Sequence, residues 1–198
     1  MCKKLPYNHT AGFSLIEMLV SLALFTIVIT IAVGALLSLI ATSTQVQGQQ
    51  NVMTTLTFAM DSMSREIRTG KNYYCAATPF TSDQTSVLDC SGGNNSISFV
   101  EAGTSLTGGG NQRISYYLSG GALYRKVGVA AGEKITSNGI EIMSAKFYVT
   151  SSSPLSQSAT YVRQANVTIF IKARSVDDTA VAREFLLQTT VTQRELDI

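Results

Sequence analysis

The 198-residue sequence has no tryptophan, three prolines, three cysteines and a single histidine. Charged residues make up only 14%, against about 25% in an average soluble domain. So little proline, with no Gly-X-Y repeat, excludes a collagen-like chain. Low charge beside 45% hydrophobic residues argues against a disordered chain, which shows the opposite balance. The 15 basic and 13 acidic residues leave a net charge of +2, too little for a long-range field that gathers polyanions. His9 and Cys2 both fall within the first nine residues. A chain shortened at that end keeps no histidine, and Ser-His, Cys-His and His-metal chemistry are then excluded. No glycine run is followed by Lys-Ser or Lys-Thr, so a phosphate-binding loop is not indicated. Zinc-ligand spacing is missing as well.

The apolar residues are unevenly placed. Met1–Gly12 is short and polar, with Lys3 and Lys4 as its charges. Phe13–Ile40 follows, 28 residues of which 21 are apolar, with Glu17 as the one charge. From Met18 to Ile40 there is neither charge nor proline, and about 20 such residues cross a bilayer as a helix. The preceding lysines place the amino terminus in the cytoplasm and the bulk of the chain outside it. An ordinary signal peptide is one alternative, with Ala41 and Ser43 resembling a cleavage site, but its apolar core is about 7–15 residues. A plain single-pass anchor is another, since span length alone permits it. Neither accounts for Glu17, because a carboxylate in a membrane is costly and marks a candidate functional position. Glu17 stands one helical turn from Phe13. Cleavage after Gly12 would create a Phe13 amine able to neutralise it, within one chain or between neighbours.

Gly12-Phe13-Ser14-Leu15-Ile16-Glu17-Met18-Leu19-Val20 resembles the class III signal of type IV pilins and type II secretion pseudopilins. The resemblance covers Met1 to about Ile40. It implies cleavage after Gly12 by a prepilin peptidase, N-methylation of Phe13, and pairing of Glu17 with the amine of an adjacent subunit during assembly. It further implies other pilin or pseudopilin subunits and an inner-membrane assembly platform as partners. Many major pilins carry a proline inside the apolar run, whereas Gly34 occupies that region here. Glycine is about 1 kcal/mol less favourable than alanine in a helix, so Gly34 either softens the helix or eases contact between helices.

Beyond Ile40 the chain turns polar. Val46, Met53, Met60 and Ile67 then recur every seven residues, with Leu56 and Met63 between them. This predicts a helix with a narrow apolar stripe, ending near Arg65, Arg68, Gly70 and Lys71. One helix over Phe13–Thr69 would span about 85 Å at 1.5 Å per residue. Its first half belongs in lipid or a polymer core, and its second half packs on a soluble domain. Three repeats are marginal for a coiled coil, which needs about 3–4 heptads.

Residues 70–96 read as an irregular loop. Cys75 and Cys90 enclose 14 residues. They form an even pair once Cys2 is removed, which predicts a disulfide in an oxidising compartment; two buried free thiols are the alternative. Strands are expected at Ile97–Val100, at Arg113–Leu118 and Ala122–Val127 around a Ser119-Gly120-Gly121 turn, and at Glu141–Thr150, Tyr161–Lys172 and Glu184–Gln193. Their inward sets are Met143, Ala145, Phe147 and Val149; then Ala165, Val167, Ile169 and Ile171; then Phe185, Leu187, Thr189 and Val191. Such alternation means one face packed and one wet. An α+β fold follows, with one long amino-terminal helix packed on an antiparallel sheet, which is also what the pilin resemblance implies.

The domains expected are a leader (1–12), a transmembrane or filament-core helix (13–40), its amphipathic continuation (41–69) and an extracytoplasmic β domain (70–198). Asp177-Asp178 suits a turn better than a calcium site. Asn94-Asn95-Ser96 and Asn166-Val167-Thr168 match glycosylation sequons, which carry no weight in the bacterial chain that the resemblance implies. Arg113, Arg125, Lys126 and Lys134 with Tyr116, Tyr117 and Tyr124 are the residue types a nucleic-acid patch needs. From Phe13 onward, however, basic and acidic residues number 13 each, so the nucleic-acid signal is weak. No catalytic constellation or cofactor site is found, and no enzymatic activity is expected. The 186 residues from Phe13 and the hairpin point loosely to minor pilins or J-type minor pseudopilins. A major shaft subunit and a membrane-anchored binding protein are the alternatives.

Overall fold

A computed structural model describes residues 12–79, 87–101, 113–150, 164–176 and 184–194. In chain order the elements are α1 (Leu15–Thr69), β1 (Lys71–Ala76), β2 (Cys90–Asn94), β3 (Ser96–Val100), β4 (Arg113–Ser119), β5 (Ala122–Val127), β6 (Glu133–Lys134), β7 (Ile140–Thr150), β8 (Asn166–Ser175) and β9 (Glu184–Thr192). The architecture is α+β and pilin-like. The chain divides into two compact units, Met1–Gln45 and Val46–Ile198.

Within the second unit the helix packs on two antiparallel sheets. One runs β1-β3-β4-β5-β6 and the other β2-β7-β8-β9. The buried stripe of α1 is Val52, Leu56, Ala59, Met60, Met63 and Ile67, which follows the true helical period of 3.6. The expected seven-residue stripe is therefore corrected at its start. Val46 is 45% exposed and Met53 44%, because a strict heptad drifts off the packed face of a straight helix. The core joins this stripe to Ile97, Phe99, Ile114, Tyr116 and Leu123 of one sheet, and to Phe147, Val149, Val167, Ile169 and Ile171 of the other.

Residues 70–96 are not one loop. Lys71–Ala76 and Cys90–Asn94 are strands. They escape sequence patterning because β2 is short and carries Gly92-Gly93, and both are irregular, with register shifts at Lys71/Tyr74 and Cys90/Asn94. Cys75 and Cys90 are disulfide-bonded, with Cα atoms 5.8 Å apart. One lies in each sheet, so the bond ties the two sheets together beside the Phe147 carbonyl.

The β4–β5 hairpin turns at Gly120 and Gly121, whose φ values of 53° and 73° suit a tight turn that side chains oppose. In β7 the inward set is Ile140, Ile142, Ala145, Phe147 and Val149, and Met143 is 41% exposed. An irregularity between Ile142 and Ser144 changes which parity faces the core, as an extra residue in a strand does. The inward residues of β8 and β9 are those the alternation predicts, extended in β8 by Ala173.

Candidate functional site: the amino-terminal motif and its helix

The structure starts the helix at Leu15, so Phe13 stands just outside it rather than on its first turn. Ser14 is the N-cap. Its carbonyl accepts from the Glu17 and Met18 amides at 3.1 and 3.3 Å, and its Oγ accepts from the Glu17 amide at 3.3 Å. Ser14-Leu15-Ile16-Glu17 thus has the spacing of a capping box. Glu17 occupies the first turn, where the helix dipole favours an anion. The carboxylate is not an isolated oddity in an apolar run: it suits a helix start, and it stands close to the chain position where a new amine would arise. Phe13 is 78% exposed, and open space surrounds the Gly12 Cα.

From Leu15 to Ile40 every side chain is exposed, and this run is long and apolar enough to cross a membrane. Its two threonine hydroxyls are turned back onto the helix. Thr26 Oγ1 donates to the Ala23 carbonyl at 2.8 Å and Thr30 Oγ1 to Thr26 at 2.8 Å. Satisfying polar groups internally is what an apolar surrounding demands. The helix continues through Gly34, and a Cβ there would meet nothing within 4 Å. Among the described residues no packing requires the glycine.

The other end of α1 is anchored by polar contacts that the sequence did not reveal. The Glu66 carboxylate accepts from the Tyr116 hydroxyl at 2.7 Å and from Arg125 Nε at 3.1–3.2 Å; Arg125 Nη2 lies 3.0 Å from it. Burial and the neighbouring Glu66 push the Tyr116 phenol well above its ordinary pKa. For Arg125, partial burial works downward, but the bonds and charge of Glu66 prevail and hold the guanidinium above its usual value. The Tyr73 hydroxyl lies 2.6 and 2.8 Å from the Ile67 and Gly70 carbonyls, capping the last turn of the helix, and burial raises its pKa. Gly70 is needed where it stands, since a Cβ there would run into the Phe99 ring.

Of the seven residues considered for a nucleic-acid patch, Tyr117, Tyr124 and Lys134 stand opposite one another across β4, β5 and β6, whereas three others are engaged within the fold. Arg113 is 3% exposed and donates to the Asn72 carbonyl. Arg125 and Tyr116 are engaged with Glu66, and Lys134 Nζ donates to Asn138 Oδ1 at 2.8 Å. Tyr117 and Tyr124 stack on each other across the hairpin at 5.5 Å. Asp177-Asp178 lies outside the described residues, and among those described no group of three side chains is placed to hold a metal ion.

Fold and motif together define a pilin-like class, with a capped apolar helix continuing into a β domain. Residues 7–33 match the family model described as the prokaryotic N-terminal methylation motif, a segment that contains Gly12, Phe13 and Glu17. The match supports a type IV pilin-like precursor of a structural rather than catalytic family. It implies processing by prepilin peptidase and assembly with other pilin subunits. No curated protein and no solved structure matches the chain.

Proposed function

We propose that the chain is a minor subunit of a type IV pilus or type II secretion pseudopilus. The observation that carries this reading is the methylation motif at the start of a capped helix whose apolar first part, Leu15–Ile40, is wholly exposed. Prepilin peptidase cuts after Gly12, Phe13 becomes the N-methylated amino terminus, and residues 13–40 hold the subunit in the inner membrane until assembly. Lys3 and Lys4 keep the leader on the cytoplasmic side, and residues 70–198 form the extracytoplasmic domain. In the filament Glu17 of one subunit meets the Phe13 amine of another, a pairing that cancels two charges in an apolar core, where an isolated ion is most costly. The assembly platform of the inner membrane receives the subunit through this helix. The minor role draws on the 186 residues from Phe13 and on the β4–β5 hairpin.

The mass of the amino-terminal peptide from membrane-isolated protein tests the processing. A peptide starting at Phe13 and heavier by one methyl group is the expected result; a start at Met1 overturns the reading. Subunit copy number in purified filaments separates a minor subunit, present at a few copies, from a shaft subunit.

A further inference from the structure

The two sheets present four edges, and three of them are blunted. β1 carries a register shift and a left-handed residue, Asn72 (φ 55°). β2 is five residues long, with two glycines and a shift in register. β6 is two residues long and both are charged. Such features oppose the addition of a further strand. β9 has none of them. It pairs with β8 in unbroken register over nine residues, and Phe185–Thr192 contains no charge, glycine or proline. Among the described residues no strand lies on its outer side. The core is also incomplete there, since Phe185 and Leu187 pack against it yet stay only partly buried. Further along, an open cleft separates Thr189–Val191 from Asp61, Arg65 and Arg68 of α1. Thr189 and Val191 lie on the inward side of the strand and Thr190 on the exposed side. A cavity that touches both faces of a strand follows its free edge, where a next strand would stand.

Charge is uneven along this edge. At its start Glu184 is bonded to Lys172 at 2.7 Å. At its end Asp61 answers Arg65 at 3.0 Å, while Arg68 and Arg194 are both exposed and adjacent, the Arg194 amide donating to the Arg68 carbonyl at 2.8 Å. We propose that β9 is the docking edge for an extended segment of a different protein. The segment adds antiparallel, with a carboxylate against Arg68 and Arg194 and apolar side chains beside Leu187 and Phe185. Alternation along a strand fixes the order. Read from its amino end, the segment meets Val191 and Thr189 first and Leu187 and Phe185 later, so its inward positions run acidic, small polar, apolar, apolar. Main-chain bonds supply affinity in such an addition, and the alternate side chains supply specificity. A second copy of this chain does not fit. Pairing β9 with itself needs a two-fold along the sheet normal, which reverses the helix packed on that sheet, and the two chains could not then share one membrane. The other edges of a copy are the blunted ones. The exclusion of a copy rests on the membrane reading above, which the terminal-peptide mass checks independently.

Fluorescence anisotropy with the full chain in detergent and the labelled peptide Glu-Thr-Thr-Thr-Val-Thr-Val tests the docking. Saturable binding is expected. A peptide with Lys in place of Glu should bind about fivefold more weakly, the worth of one exposed ion pair at the upper end of its range. Arg68→Glu/Arg194→Glu should reverse the preference, so that the Lys peptide binds better than the Glu peptide by about the same factor. That gain also shows that the variant has kept its fold. Two further Glu peptides, N-methylated at alternate sets of backbone amides, separate strand pairing from adhesion by charge. Alternate residues of a strand direct their amides to opposite sides, so one peptide should lose binding and the other keep it. The proposal is overturned if the Glu peptide does not bind, if the charge preference does not reverse, or if both N-methylated peptides bind alike. It is also overturned if the chain forms dimers that the peptide dissociates, since a second copy then occupies the edge.

Discussion

Removing the Glu66 carboxylate should loosen the junction between the helix and the five-stranded sheet, and the size of the effect can be worked out. Glu66→Ala leaves the Tyr116 hydroxyl without its acceptor. Tyr116 is 1% exposed, and a buried unsatisfied hydroxyl costs about 1–3 kcal/mol. Arg125 loses its partner too, but its side chain is 29% exposed and regains water, so that part stays below about 1 kcal/mol. The expected loss is therefore about 1–4 kcal/mol, dominated by the phenol rather than by the ion pair. Glu66→Gln keeps an acceptor for Tyr116 and should cost about 1 kcal/mol. Tyr116→Phe removes the hydroxyl together with its need for a partner. The double variant Glu66→Ala/Tyr116→Phe should thus be more stable than the sum of the single losses by about 1 kcal/mol or more. Urea unfolding of the full chain in one fixed detergent, followed by tyrosine near-ultraviolet circular dichroism, measures all four. A loss below about 0.5 kcal/mol for Glu66→Ala, the level of an ordinary surface change, or strict additivity in the cycle, would refute the reasoning.

The corrected phase of the helix predicts that Met63→Ala costs about 2–5 kcal/mol. Met53→Ala, on a side chain 44% exposed, should fall within about 0.5 kcal/mol of the parent; equal losses in the same unfolding assay would restore the seven-residue stripe. Replacing Cys75 and Cys90 by serine should remove about 3 kcal/mol for a loop of this size, and an unchanged urea midpoint would argue against a stabilising bond between the sheets. Tyr73 and Tyr116 have folded pKa values raised above the ordinary phenol. Their contribution is complete below the unfolded value of about 10 and is lost as pH rises beyond it, because the folded state then holds more protons than the unfolded one. Thermal unfolding from pH 8 to 11 should show the midpoint falling above about pH 10, and a Tyr73→Phe/Tyr116→Phe chain should show a shallower fall.

Linear signals carried much of this protein. The motif from Gly12 to Val20 is legible because it is one short, contiguous stretch of chain, and no tertiary contact is needed to present it. The apolar run, the glycine pair at the hairpin turn and the alternation in β8 and β9 are equally local, since each follows from backbone geometry and from which side of an element is dry. Tertiary structure decided where phase and partner count. It chose Val52, Leu56 and Met63 over Val46 and Met53, because the packed face of a straight helix advances by 3.6 residues and not 3.5. It moved Met143 outward through one irregularity in β7. It made strands of Lys71–Ala76 and Cys90–Asn94, whose pairing energy comes from distant neighbours rather than from their own composition. It divided the strands between two sheets joined by Cys75 and Cys90. It also sent Arg113 and Arg125 inward to acceptors far away in the chain. Charge and aromaticity can be read from a sequence, but whether a cation faces solvent or a half-buried carboxylate depends on contacts that no local pattern encodes.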